Sequence, residues 1–253
     1  MKTKIVKRSI CISLCLMLLI SLTACEKKAS DYEAYVKSLI TANYLGITDE
    51  YVDMTGSNEE DAEAIYLQNV TRLADNLSLY YGLEIATDPE LAPAMVDLAK
   101  QIYGKTKFEV NRVYKDNNIY YVELTIYPID ILNQTNDQIV EYVNNFNAAV
   151  DSGKYNDYSR EEYEYEFASG IIGILASAVN DIQYGEPEVL KVRIITTEDS
   201  YYIGNEDVRN IDRCILNTDT EQMMNAPTPT DATEVTEDEG LPAATTTDSE
   251  STD

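Results

Sequence analysis

Histidine and tryptophan are both absent from this 253-residue chain. Without an imidazole there is no Ser–His or Cys–His nucleophile pair and no His-ligated metal centre. Acid–base or metal chemistry therefore falls to carboxylates, tyrosines and thiols. Glu59-Glu60-Asp61 and Glu161, Glu162 and Glu164 are the dense carboxylate clusters. Each follows a helix-start signal, and acids in a first helical turn are what the helix dipole favours. No EF-hand loop is present. Cys214 sits between Ile211 and Ile215 and reads as a small core residue rather than a nucleophile. Gly170-x-x-Gly173 lies in an apolar helical stretch and does not follow a strand, so it suits close packing and not phosphate binding. No catalytic residue, metal site or cofactor is expected.

Tyrosine is the unusual side chain: 20 Tyr stand against 3 Phe. A ring with a polar tip suits sugar or peptide surfaces, and equally the boundary of core and solvent. Tyr120-Tyr121 and Tyr201-Tyr202 should each place one ring on either face of a sheet. Six basic residues cluster near the expected strands: Lys105, Lys107, Arg112, Lys115, Lys191 and Arg193. They read either as a positive strip towards lipid headgroups or as solvated positions balancing acidic neighbours. The chain as a whole is acidic, with 19 Lys+Arg against 45 Asp+Glu and a formal charge of −26. That balance opposes nucleic acid as a partner.

The elements that must position these groups begin after an address. Lys2, Lys4, Lys7 and Arg8 precede an apolar run, Ile10 to Leu22. At 13 residues this run is too short to span a bilayer, and it has the build of a secretory signal. It ends in Leu22-Thr23-Ala24-Cys25, which resembles the lipobox of bacterial lipoproteins at all four positions. The resemblance implies that Leu22, Thr23 and Ala24 are read by a signal peptidase. Cys25 would then carry a palmitate-type diacylglyceryl group as a thioether. Two acyl chains anchor stably. Cleavage before Cys25 would leave 15 basic residues against 45 acidic ones, and Cys214 as the only free thiol.

This gives residues 1–24 as the signal peptide, 25–29 as lipidated cysteine and short tether, 30–216 as a folded domain, and 217–253 as a tail. The tail holds ten acids, no Lys or Arg, many threonines and three prolines, a composition expected to be disordered. The tether should hold the domain close to the membrane, on the extracellular face.

Within the domain, Ser30-x-x-Glu33, Ser57-x-x-Glu60 and Ser159-x-x-Glu162 read as capping boxes, and Asp88-Pro89 as a helix start. Thr48 should open a short helix that Gly56 ends. Phe108, Val110 and Tyr114 alternate as one face of a strand, Lys115 to Asn118 is a turn, and Ile119 to Tyr127 is the return strand. Two helices follow, then a second pair with Leu190, Val192 and Ile194 on one face and Tyr201 to Gly204 returning. A last helix carries Val208, Ile211 and Ile215. The fold class is α+β: two hairpins in an antiparallel sheet against several helices. Gln101-Ile102-Tyr103-Gly104 and Ile182-Gln183-Tyr184-Gly185 echo each other and raise an internal duplication.

Ala34-Tyr35-Val36-Lys37, Asn43-Tyr44-Leu45-Gly46, Tyr51-Val52-Asp53-Met54-Thr55 and Glu59 to Tyr66 resemble Gram-positive surface lipoproteins with a domain of unknown function. Tyr184-Gly185 and Tyr201-Tyr202-Ile203 fit the same pattern. The resemblance implies a fold similar to cystatin or nuclear-transport-factor-like domains, and brings no catalytic residues. Three readings follow. The first is a non-catalytic, membrane-anchored module binding a protein or cell-wall partner. The second is a small-ligand receptor with a pocket between sheet and helices. The third is an Asp/Tyr acid–base enzyme.

Overall fold

The first helix, α1 (residues 29–40), buries Tyr32, Tyr35, Val36, Leu39 and Ile40 on one side. The computed structural model describes residues 29–197, 200–217 and 244–245. Because α1 already runs at Ala29, Ser30 is not its N-cap and the expected box there is not formed. The helix widens into a π-helical turn, Thr41–Leu45, which Gly46 ends at φ 68°. A side chain at Gly46 would also meet the Tyr66 ring at 2.9 Å.

Helix α2 (Asp49–Thr55) follows Thr48 and stops at Gly56, as its sequence signals indicate, although the Thr48 side chain makes no capping bond. Helix α3 (Glu59–Tyr80) is capped by Asn58, whose side chain accepts from the Asp61 N–H. The expected Ser57–Glu60 box is thus displaced by one residue. Ser57 instead pairs its hydroxyl with Thr55 at 2.8 Å. Helix α4 (Leu91–Tyr103) starts where Asp88 Oδ1 accepts from the N–H groups of Glu90 and Leu91, both at 2.8 Å.

Strands β1 (Lys107–Asp116) and β2 (Ile119–Tyr127) form a hairpin. Its two-residue turn, Asn117-Asn118, has φ of 46° and 70°. Positive φ at both positions is the twist-matched hairpin turn that asparagine tolerates. Helix α5 (Ile131–Asp151) and helix α6 (Arg160–Val179) come next. Ser159 and Glu162 form the reciprocal capping box expected of them. Strands β3 (Glu188–Thr196) and β4 (Ser200–Ile203) and helix α7 (Asn205–Ile215) complete the domain. Asn217 is tied down by its N–H to the Ile129 carbonyl and by its side chain to Asp130.

The sheet order is β1-β2-β3-β4, all antiparallel, so β2 and β3 are neighbours although α5 and α6 separate them in the chain. The fold is α+β, as the sequence indicates. Ala244–Thr245 adds a two-residue strand, β5, to β4. This pairing was not expected of residues 217–253. The remainder of that segment, the signal and most of the tether lie outside the described residues.

The two echoing tetrapeptides take different places. Tyr103 is buried at the end of α4, whereas Tyr184 lies in the link before β3 and donates its hydroxyl to the Lys105 carbonyl. Val122, Leu124 and Ile126 of β2, with Val192, Ile194 and Ile203, are buried in a single core with Leu39, Leu98, Ile102, Leu175, Ile211 and Ile215 from the helices. Each large side chain removed from water contributes about 1.5–3 kcal/mol.

Candidate functional site

Helices cover one face of this sheet. The other is built by the odd-numbered residues of β2 and β3 and, because of a bulge, by two sets from β1. The register slips between Val110 and Arg112. Before the slip Lys107 and Glu109 point away from the core; after it Arg112 and Tyr114 do. A bulge re-aims side chains in this way. It overturns the simple alternation of Phe108, Val110 and Tyr114. Val113 takes the inner position opposite Val122, and Tyr114 moves to the open face opposite Tyr121.

Cross-strand neighbours form rows over the open face. Tyr114, Tyr121 and Arg193 make one row, and Arg112, Glu123 and Lys191 the next. The Tyr114 and Tyr121 rings stack with centroids 5.7 Å apart and 22° between planes. Arg112 donates to Glu123 Oε2 from Nε and Nη2, at 3.2 and 2.9 Å, and its guanidinium lies 5.2 Å from the Tyr114 ring. Farther along, Lys107 Nζ sits 4.0 Å over the Tyr127 ring, and the Tyr127 hydroxyl donates to Glu109. Ile195 and Tyr202 pair on the same face beside β4. Val189, near the start of β3 on the same face, is 59% exposed.

Charge on this face runs against the rest of the molecule. Lys107, Arg112, Lys191 and Arg193 stand against Glu109, Asp116 and Glu123, and Asp207 of α7 accepts from the Arg193 backbone N–H at 3.2 Å. Glu123 is committed to Arg112, and among the described residues Lys191 makes no ion pair. Of the six bases singled out in the sequence, these four share the face. Lys115 Nζ instead lies over Tyr120, at 5.0 Å. Tyr120 and Tyr201 are on the core side, where they pack on Tyr32, each with centroids 4.9 Å apart. The division of Tyr120-Tyr121 and Tyr201-Tyr202 between faces is therefore as expected.

Most of the remaining sequence candidates have structural partners. Glu162 serves the cap of α6, where the Ser159 backbone N–H holds its carboxyl below the usual range. Glu164 and Glu84 pair with Arg160. Glu161 lines an open cleft of about 310 Å³ with Asp88, Leu91 and Tyr165. Asp61 belongs to the Asn58 cap, with Glu59 and Glu60 beside it in the first turn of α3. Among the described residues no group of three His, Cys, Asp or Glu side chains is placed to hold a metal. Cys214 is buried, donates to Glu188 Oε2 at 3.2 Å, and has its thiol pushed up to about 12 by burial and by that carboxylate. It is a core residue, as expected. Gly170 also packs closely: a Cβ there would lie 2.2 Å from the Tyr142 ring and hydroxyl. Leu22, Thr23, Ala24 and Cys25 lie outside the described residues.

One polar cluster had no signal in the sequence. Tyr44, in the π-helical turn, donates to Asp212 Oδ1 of α7, and Arg72 of α3 donates to Oδ2 at 3.1 Å. The Tyr103 ring meets Tyr44 edge-on with centroids 5.3 Å apart. Burial, and then the Asp212 charge, lift the Tyr44 hydroxyl well above 10. A phenol so strongly held in its protonated form is a poor acid or base near neutral pH. The cluster fastens α7 to α1 and α3.

The layer that a small-ligand receptor would need open is filled by Val122, Leu124, Ile126, Val192 and Ile194, each at most 3% exposed. No family model matches the chain, and no curated protein matches it. Among solved structures it is similar to the crystal structure of a "putative lipoprotein (ycdA)" from Bacillus subtilis. The TM-score is 0.54 and the identity 15%, over 77% of this chain. This chain spans 58% of that one. The likeness is one of fold. Among the described residues no helix is long and apolar enough to cross a membrane.

Proposed function

We propose that this chain is a lipid-anchored surface protein whose domain binds a partner through the open sheet face, without catalysis. The carrying observation is the register that gathers Tyr114, Tyr121, Tyr127 and Tyr202 with four cations on the side of the sheet that no described helix covers. The anchor reading rests on the basic-then-apolar start and Leu22 to Cys25, and it is supported by the similar fold of the B. subtilis lipoprotein. With α1 running from residue 29, the four-residue tether from Cys25 reaches at most about 14 Å. The folded part then works next to the bilayer.

Two experiments test the two halves. Cys25→Ala should abolish labelling by a palmitate analogue and release the protein from the membrane fraction; retention on the membrane refutes the anchor. A photo-crosslinking residue in place of Val189 should give discrete adducts on intact cells, while one in place of Leu79, equally exposed at 58% on α3, should not. Equal labelling from both positions refutes the face.

A further inference from the structure

The open face carries information about the chemistry of its partner, and the inference below rests on the sheet-face reading. Lys191 and Arg193 are two residues apart on β3, hence about 7 Å apart along the strand. Arg112 and Lys191 stand two strands apart, on either side of Glu123, hence about 10 Å. Glu123 lies between Arg112 and Lys191, and in the next row, beside Arg193, the Tyr114 and Tyr121 rings stack on each other. The backbone groups of β2 are paired on both sides, with β1 and with β3. A peptide therefore cannot add as a strand there, and recognition must come from side chains.

Charge complementarity selects the partner. The face is a concentration of positive charge on a chain of −26. Long-range repulsion is confined to a Debye length of about 8 Å, so short-range pairing on the face can still act. A nucleic-acid strand, with a charge every ~3.4 Å, is far denser than the cation spacing. A polymer of sugar rings with an anionic group on every second ring spaces its charges far more widely and offers C–H faces to aromatic rings. We propose that the open sheet face binds an anionic polysaccharide, with Lys191, Arg193 and Arg112 engaging its acidic groups and Tyr114 and Tyr121 supporting its rings.

The test uses the full chain in detergent micelles, titrated calorimetrically with hyaluronan oligosaccharides, which carry a carboxylate on every second sugar, and with neutral dextran. Hyaluronan should bind and dextran should not. With these three cations engaged, affinity should fall by at most roughly twenty-fold between 50 and 200 mM salt, by analogy with single-stranded polyanions. Lys191→Gln and Arg193→Gln should each weaken binding, and Lys191→Glu and Arg193→Glu at least ten-fold, with the circular dichroism of the folded domain retained. Dextran binding as well as hyaluronan, lost in Tyr121→Leu but unaffected by Lys191→Glu, overturns the inference and leaves the sheet-face reading standing. Absence of hyaluronan binding also overturns it. A carbodiimide crosslink from Lys191 to the acids beyond Asn217 would then identify the chain's own acidic segment as the occupant.

Discussion

Alkaline titration provides a direct test of the packing, because tyrosine is both the abundant aromatic and the buried one. Six of the 20 tyrosines hold their protons strongly. Burial pushes Tyr51, Tyr81, Tyr103 and Tyr201 up to about 12, and Tyr35 and Tyr44 higher still. In the unfolded chain each returns to about 10. The folded values are raised, so the stability they contribute is complete below pH 10 and is lost as pH rises towards the folded values. A group at 12 folded and 10 unfolded forfeits about 1.4 kcal/mol at pH 11. Any two of these four together forfeit about 2.7 kcal/mol. Tyr35 and Tyr44 add to that loss. A domain of this size has about 5–15 kcal/mol to lose, so unfolding is expected between pH 11 and 12.

The assay is tyrosinate absorbance near 295 nm followed together with far-ultraviolet circular dichroism from pH 9 to 13. The expected record has two phases. The more accessible tyrosines ionise first with the dichroism intact, and the buried six then ionise together as it collapses. Lysines also lose their charge in this range and leave the acidic chain more self-repulsive. Repeating the titration in 1 M NaCl, where the Debye length is about 3 Å, suppresses that contribution and leaves the burial effect. Ionisation of all 20 tyrosines in one phase near pH 10, with the dichroism unchanged to pH 12, would refute the packing argument.

Gly170→Ala should destabilise by about 1–3 kcal/mol in urea despite a helix-propensity gain of about 1 kcal/mol, because Tyr142 is held by Glu166 and Phe167 carbonyls and by Phe146. Adding Tyr142→Leu should recover part of the loss; additive effects would refute the clash. Ser159→Ala and Asn58→Ala should each cost about 1 kcal/mol, and Ser57→Ala and Ser30→Ala close to nothing, which separates the formed caps from those suggested by spacing alone. Asp212→Ala should cost more than Tyr44→Phe: the first strands a buried hydroxyl, at about 1–3 kcal/mol, and the second leaves Asp212 paired with Arg72. Equal melting temperatures for the two variants would argue against the pin.

Most elements were legible because their signals are local. The Asn117-Asn118 turn, the end of α2 at Gly56 and the Ser159–Glu162 box each depend on a few adjacent residues. The cap of α3 was misplaced because Ser57 and Asn58 are both good caps one residue apart, and the winner is set by the hydroxyl pairing of Ser57 with Thr55. The face of Tyr114 was misplaced because a bulge inserts one residue without altering composition, and every later side chain then changes sides. The Tyr44–Asp212 bond joins positions 168 residues apart, and no periodicity reaches that far.

An open face on an antiparallel sheet is ordinary, so openness alone argues nothing. The chain had an opportunity to cover it. Two helices, α5 and α6, are inserted between the neighbouring strands β2 and β3, yet α6 returns to pack on α4, so both helical stretches end on the same side. What remains is the choice of residues. A face that only meets water is well served by threonine and mixed charges, and in a chain with more than twice as many acids as bases most of those charges should be acidic. This face instead holds four bases to three acids, Glu109, Asp116 and Glu123, with a stacked tyrosine pair brought there by a bulge. Solvation requires none of these features. A side-chain surface for an external anionic partner would present them, and that is why the binding role is proposed for the open face rather than the acidic clefts.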